Sequence, residues 1–408
     1  MRILHTSDLH IGRVLYGRKR YDEHEKFLDW LADVVVDRAA EALLIAGDVF
    51  DTATPSNRAH ELYFRFLGRV AKSPCRHVVV IAGNHDSPSF LRAPSTLLAA
   101  LDVHVITEPQ PEHPAAEVLT LRDGAGQAEL VVCAVPYLRD RDVRTVEVGE
   151  SVEDKERKLR AGIRRHYEDV FAAAAEEVKA AARPVPVVAM GHVFTAGGTE
   201  GEGVRDLYVG TLAHIGADIF GDDIDYAALG HLHVPQVVGG LATRRYSGSP
   251  LPMGFGEARQ QKSVCLVEVA AGAAEVELVD VPVFQRLVQI RGGWAEIEQQ
   301  LAELADEGES VWVEISYNGD DVIGDLRARL DDVIANSAVE VLRVKDERVM
   351  SQALAAAHTE ETLDDLDPKE VFDRLLQAAE VSIAQQVELT ATYREALDSL
   401  AAADVNAE

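Results

Sequence analysis

Five short clusters of polar residues could carry chemistry, and each follows a brief apolar run. Asp8 and His10 come after Ile3 to Thr6, Asp48 and Asp51 after Leu43 to Ala46, and Asn84, His85 and Asp86 after Val78 to Ala82. His192 follows Val187 to Met190, and His231 and His233 follow Ala227 to Leu229. Carboxylate, amide oxygen and imidazole without thiolate suit manganese, magnesium or iron better than structural zinc. One carboxylate shared between two such ions, about 3.5 to 4 Å apart, builds a clamp on a phosphate. Asp48 is the choice for that bridge. Taken singly the clusters say little: Asp48 could cap a helix, His85 could be a loop histidine, and His231 and His233 could line one edge of a strand. Five clusters in one order, each behind an apolar strand, are hard to obtain from unrelated caps and turns.

The elements that must position them read as α/β layers. Ligands bind at the carboxyl ends of strands in such folds, so sequence-distant clusters can converge there. Gly47, Gly83, Gly191 and Gly230 stand between strand and cluster, where the backbone must turn tightly or approach closely. Phe27, Leu28, Leu31, Val34 and Val35 recur at helical spacing and predict a helix over Tyr21 to Ala40 lying on a sheet face. A second helix is expected over Glu153 to Arg183, and Val131 to Val135 supplies a further strand. The layered core, residues 1–280, is followed by a strand–helix–strand–helix–strand cycle that predicts a small α/β unit over 281–345. Residues 346–408 are expected to hold a polar, alanine-rich linker and then helices opening at Asp367-Pro368-Lys369-Glu370, which offers a cap, a first-turn proline and a glutamate three after the cap.

At 408 residues the chain is long enough for two or three folded units. The apolar fraction of 47% beside 27% charged residues suits a soluble globular protein, and no run approaches a membrane span. The opening residues lack a signal-peptide pattern, which predicts a cytoplasmic protein. Three cysteines without a C-x-x-C pair predict neither disulfides nor cysteine-bound zinc, and Cys133 and Cys265 are expected in the core. The net charge of -29 argues against a chain that holds nucleic acid unaided. Local basic groups that could do so are Arg13, Arg18, Lys19, Arg20, Arg139, Arg141, Arg244 and Arg245, each equally readable as a solvated face.

The ordered motifs D-x-H, G-D-x-x-D, G-N-H-D, G-H and G-H-x-H resemble the calcineurin-like metallophosphoesterase superfamily. Within it, Met1 to Gly12, Ala46 to Thr52, Val204 to Leu212 and Tyr246 to Pro250 resemble the bacterial SbcD nucleases, and the likeness spans nearly the whole chain. The resemblance implies a layered α/β phosphoesterase core with a capping domain and C-terminal helices. It implies one ion on Asp8, His10, Asp48 and His233 and a second on Asp48, Asn84, His192 and His231, with Mn²⁺ the leading choice and Mg²⁺ or Fe²⁺ alternatives. His85 corresponds to the family's catalytic histidine, a proton donor to the leaving oxygen. Asp51 is expected to orient it, with Asp86 the competing candidate. The implied activity is exonuclease at DNA double-strand ends and endonuclease in hairpins, in DNA repair and recombination, under control of an SbcC-type coiled-coil ATPase that docks on the C-terminal helices. The implied assembly is a homodimer, joined with the ATPase into a heterotetramer. Helices near Asn57 to Val70 and Phe90 to Leu101 would form the dimer contact through Leu62, Phe66, Phe90, Leu97 and Leu98, for which ordinary core is the competing reading. Two alternatives stand beside this: a phosphatase or cyclic-nucleotide phosphodiesterase on the same core, and a scaffold that has lost catalysis.

Overall fold

Each apolar run becomes a strand, and the spacers after the first, second and fourth runs hold helices long enough to return the chain. In the computed structural model, residues 1–93, 95–144, 150–195, 215–319, 323 and 325–347 are described, with the single positions 372, 389, 390 and 393. The segment Val204 to Leu212 and almost all of the expected C-terminal helical region therefore lie outside the described residues.

The described chain divides into two units, Met1–Arg286 and Leu287–Glu408. The first begins with β1 (Arg2–Thr6), a small hairpin β2 (Val14–Leu15) and β3 (Arg18–Lys19), α1 (Tyr21–Asp37), β4 (Ala42–Ala46), α2 (Asn57–Val70) and β5 (His77–Ile81). Two short helices, α3 (Pro88–Arg92) and α4 (Ser95–Ala100), lead to β6 (Val103–Ile106). Then come β7 (Val118–Arg122), β8 (Ala128–Val135), the single turn α5 (Asp140–Val143), α6 (Val152–Ala180), β9 (Val187–His192), β10 (Tyr226–Gly230), β11 (Gln236–Val238), β12 (Leu241–Tyr246), β13 (Ser263–Ala270) and β14 (Ala273–Asp280).

These strands make two six-stranded sheets, ordered β14-β13-β1-β4-β5-β6 and β11-β12-β10-β9-β8-β7. Their inner faces meet. Ala42, Leu44 and Ala46 of β4 pack with Val132, Ala134, Val188, Met190 and Ala228 of the other sheet. The alternate residues Leu43 and Ile45 face outward against Phe27, Leu31 and Val35 of α1 and Leu62 and Phe66 of α2. On the far side Tyr167, Val170 and Ala174 of α6 cover Cys133, Ala189 and Ala227. Strands buried on both faces need no polar alternation, which is why they read as continuous apolar runs.

Because β1, β4, β5 and β6 are parallel neighbours, and β8, β9 and β10 likewise, the carboxyl ends within each sheet fall on one side. Beyond the strands the loops after β1 and β4 stay paired: Asp8 and His10 donate backbone N–H groups to the carbonyls of Gly47 and Asp48, both at 3.0 Å.

The second unit has a three-stranded sheet, β15 (Arg286–Gly292), β16 (Val311–Tyr317) and β17 (Val339–Asp346), in that order, with α7 (Trp294–Glu307) and α8 (Leu326–Val333). Ile297, Leu301 and Leu330 meet Val311, Val313 and Ile315 in its core. α7 ends at Gly308, whose φ of 71° supplies the left-handed stop. No helix among the described residues is long and apolar enough to cross a membrane.

Two expectations change. Leu62, Phe66 and Leu98 are buried in the first unit's own core, whereas Phe90 and Leu97 stay exposed. Arg20 is buried against Glu23, and Arg244 is buried with its guanidinium donating to the carbonyls of Phe220 and Gly221, so neither is a surface cation for DNA. All three cysteines are free and buried.

Candidate metal centre

Asp8, His10, Asp48, Asn84, His192, His231 and His233 come together at the carboxyl ends of β1, β4, β5, β9 and β10. Asp8, His10 and His233 hold ligand atoms within 4.8 Å of one another, and so do Asp8, Asp48 and His192. Around Asn84 the amide oxygen lies 3.0 Å from His192 Nε2 and 3.1 Å from His231 Nδ1. Between the two groups stands Asp48, whose Oδ2 is 3.6 Å from His10 Nε2 and 3.4 Å from His192 Nε2.

The backbone is bent to make this convergence. Asp8, His10, Asp48 and His231 all have positive φ, at 53°, 44°, 50° and 102°. Such conformations cost on the order of 1–3 kcal/mol each and persist where surrounding contacts enforce them. Here the enforcement is visible. His231 N–H donates to both Asp8 oxygens, at 3.0 and 3.2 Å, and His85 N–H donates to Asp48 Oδ1 at 2.9 Å. Gly230 is required for close approach, since a Cβ there would lie 1.9 Å from the Ala46 carbonyl oxygen.

A hydrogen bond behind the imidazole selects the tautomer of His192. His192 Nδ1 donates to the Ala46 carbonyl at 2.9 Å, turning the Nε2 lone pair toward Asn84 and Asp48. His10 Nδ1 makes no such hydrogen bond but lies 3.2 Å from Asp51 Oδ1, a carboxylate behind the ring that leaves Nε2 facing the site. There it faces His233 Nε2 at 3.2 Å, while His233 Nδ1 is buried with no hydrogen-bond partner among the described residues. Two imidazole nitrogens converging at that distance match neighbouring ligands on one ion, given metal–nitrogen bonds of about 2.1 Å. A carboxylate or carbonyl behind a ligating histidine is the usual support for such a ligand. The residues present fit a pair of divalent cations.

The electrostatics agree. Burial pushes Asp8 up to about 6. For Asp48 burial also favours the neutral form, but the neighbouring His192 outweighs it and holds the carboxyl well below its usual range. Burial opposes charge on His192, yet Asp48 overrides it and carries the imidazole up to about 9. His231 is driven down to about 3, chiefly by burial and then by His192. The buried Asp48 carboxylate thus draws positive charge onto His192, while burial keeps His231 neutral.

His85 is buried beside these groups, its ring 4.8 Å from that of His10. Its Nδ1 donates to the backbone carbonyl of Asp51 at 2.8 Å. Asp51 therefore touches His85 through its main chain, while its carboxylate serves His10 and Arg13. The competing candidate, Asp86, does something else with its side chain. Its carboxylate accepts from the N–H groups of Val49, Phe50 and Gly83, tying two of the motif loops together.

Two residues were not singled out from the sequence. Tyr137 follows β8 at a sixth strand end, its ring centroid 6.1 Å from His192 and 6.4 Å from His231. Its position carried the same signal as the other clusters, but a phenol is no usual ligand. Lys262 is buried and donates to the His233 carbonyl at 3.0 Å and to Glu257 at 2.6 Å, bracing the last ligand loop from beneath. Nothing in its polar sequence neighbourhood marks it.

Residues 1–235 match the calcineurin-like phosphoesterase family, and residues 283–380 match a family described as type 5 capsule protein repressor C-terminal domain. The SbcD subunit of the nuclease SbcCD from Escherichia coli K12 is 37% identical over 404 residues, covering 98% of this chain and 99% of its own. Its counterpart from Bacillus subtilis 168 is 38% identical over 274 residues, 67% of each chain. A crystal structure of a dimetal phosphatase from Danio rerio aligns over 69% of this chain and 98% of its own with a TM-score of 0.38 and 10% identity.

Proposed function

The chain belongs to the calcineurin-like phosphoesterase family, among its SbcD-type nuclease subunits, and from that premise we propose that it cuts DNA at two divalent cations while an ATPase partner holds the substrate. The observation that carries the proposal is Asp48, whose Oδ2 faces His10 on one side and His192 on the other. Asp8, His10, Asp48 and His233 would hold one ion and Asp48, Asn84, His192 and His231 the other, with Mn²⁺ the working metal. Such ions polarise the phosphate, lower the pKa of the attacking water and neutralise charge as the leaving oxygen departs.

This chain's own groups do the rest. Asp51 and the Ala46 carbonyl hold His10 and His192 with their Nε2 atoms turned inward. The Asp51 carbonyl fixes the Nδ1 proton of His85, so Nε2 is the atom that passes a proton to the departing oxygen. Substrates are duplex ends and hairpins, and the working assembly is a homodimer bound to two copies of a coiled-coil ATPase.

Purified protein, with and without that ATPase, incubated with linear and hairpin duplex DNA in Mn²⁺ or Mg²⁺ tests the reading. Cleavage is expected in Mn²⁺ and is expected to fall by about 10²–10⁴-fold in His85→Ala, with metal content near wild type. Full DNA cleavage in His85→Ala removes that residue from the mechanism. Activity confined to mononucleotide esters selects a small-molecule phosphoesterase instead.

A further inference from the structure

At the opposite end of β5 from the metal centre, His77, Asp102 and His104 gather at the edge of the first sheet, and their ligand atoms lie within 4.8 Å of one another. His77 opens β5, Asp102 immediately precedes the edge strand β6, and His104 lies on it. The His77 side chain is only 6% exposed. Its Nε2 lies 3.1 Å from the Arg122 carbonyl and 3.2 Å from Glu129 Oε1, both acceptors, so that nitrogen must carry the proton.

The consequence falls on the other side of the ring. His77 Nδ1 has no hydrogen-bond partner among the described residues, although Asp102 Oδ2 lies 3.2 Å away. Asp102 Oδ1 lies 2.6 Å from His104 Nε2. A buried ring nitrogen left without a partner is costly, and a cation shared with the neighbouring carboxylate would satisfy it. A histidine backed by a carboxylate and a carbonyl, with its second nitrogen turned toward another imidazole and a carboxylate, has the support pattern of a metal ligand.

We propose that His77, Asp102 and His104 form a separate transition-metal site of the Zn²⁺ class that clips the edge strand β6 to β5. Two imidazoles and one carboxylate form a three-ligand zinc set, with a fourth position for water. Asp102 and His104, 47% and 34% exposed, leave the ion a path from solvent. Ion binding at an edge strand stabilises the folded state by mass action.

The test uses the full chain in wild-type, Asp102→Asn, His104→Ala and Asp48→Asn forms. Each is dialysed against Zn²⁺ and then buffer, with zinc per chain measured by mass spectrometry and Tm measured with and without added Zn²⁺. Asn accepts the positive φ that Asp102 holds, and both edge residues are accessible, so these variants keep the fold. Asp102→Asn and His104→Ala are expected to carry one zinc fewer than wild type, while Asp48→Asn keeps that equivalent. Added Zn²⁺ is expected to raise Tm more in wild type than in either edge variant. Equal zinc content and equal Tm response in wild type and both edge variants overturn the proposal.

Discussion

A Cβ on Gly83 would sit 2.1 Å from Asp48 Oδ1 and 2.3 Å from the Asp48 backbone nitrogen. Gly83→Ala is therefore expected to push the bridging carboxylate out of place and weaken Mn²⁺ binding by about 10–100-fold, the scale seen when a ligand loses its support. Calorimetric titration with Mn²⁺ checks this, and unchanged affinity would show that Asp48 tolerates displacement. At this scale the sequence was informative about type and order: the polar positions just after each strand include all seven residues proposed as ligands, and the family resemblance separated them from Asp51, His85 and Asp86. It was silent on which atom of a residue does the work. Asp51 contributes a carbonyl to His85 and a carboxylate to His10, and no spacing distinguishes main chain from side chain. Lys262 was invisible because its role depends on burial beneath a loop 29 residues away in sequence.

The strands were legible because burial on both faces leaves uninterrupted apolar runs, and the helices because one face repeats. The runs could not convey the pairing of two sheets through their inner faces. That interface holds a polar residue, His5 of β1, fully buried, with Nδ1 2.9 Å from the Tyr226 hydroxyl across the gap. Burial lowers its pKa from 6.5 to about 3. Folded His5 thus stays neutral where unfolded His5 takes up a proton. Its contribution is fully present above pH 6.5 and is lost as pH falls from there toward about 3. Urea unfolding from about pH 7 to about pH 5 is expected to show a loss up to about 1.4 kcal/mol per pH unit steeper in wild type than in His5→Gln. Parallel slopes would show that His5 is not the group responsible.

Over the whole molecule the dominant quantity is the charge of -29, and the structure deepens its meaning. Two of the arginines that could have offset it, Arg20 and Arg244, are committed to internal contacts, and Arg13 pairs with Asp51. The chain alone is expected to hold duplex DNA weakly, with binding vanishing between about 50 and 200 mM salt, and the ATPase partner is expected to restore it. Fluorescence anisotropy across that range checks this; tight, salt-resistant binding by the chain alone would contradict it. Legibility ended at this scale, since charge counts do not reveal which arginines reach solvent. The left-handed backbone at Asp8, His10, Asp48 and His231 has a consequence in the life of the protein. Because peptide neighbours hold those bends, the pocket is expected to take shape without its ions. Replacing one divalent ion by another is then expected to be an exchange on a finished scaffold rather than an act of refolding.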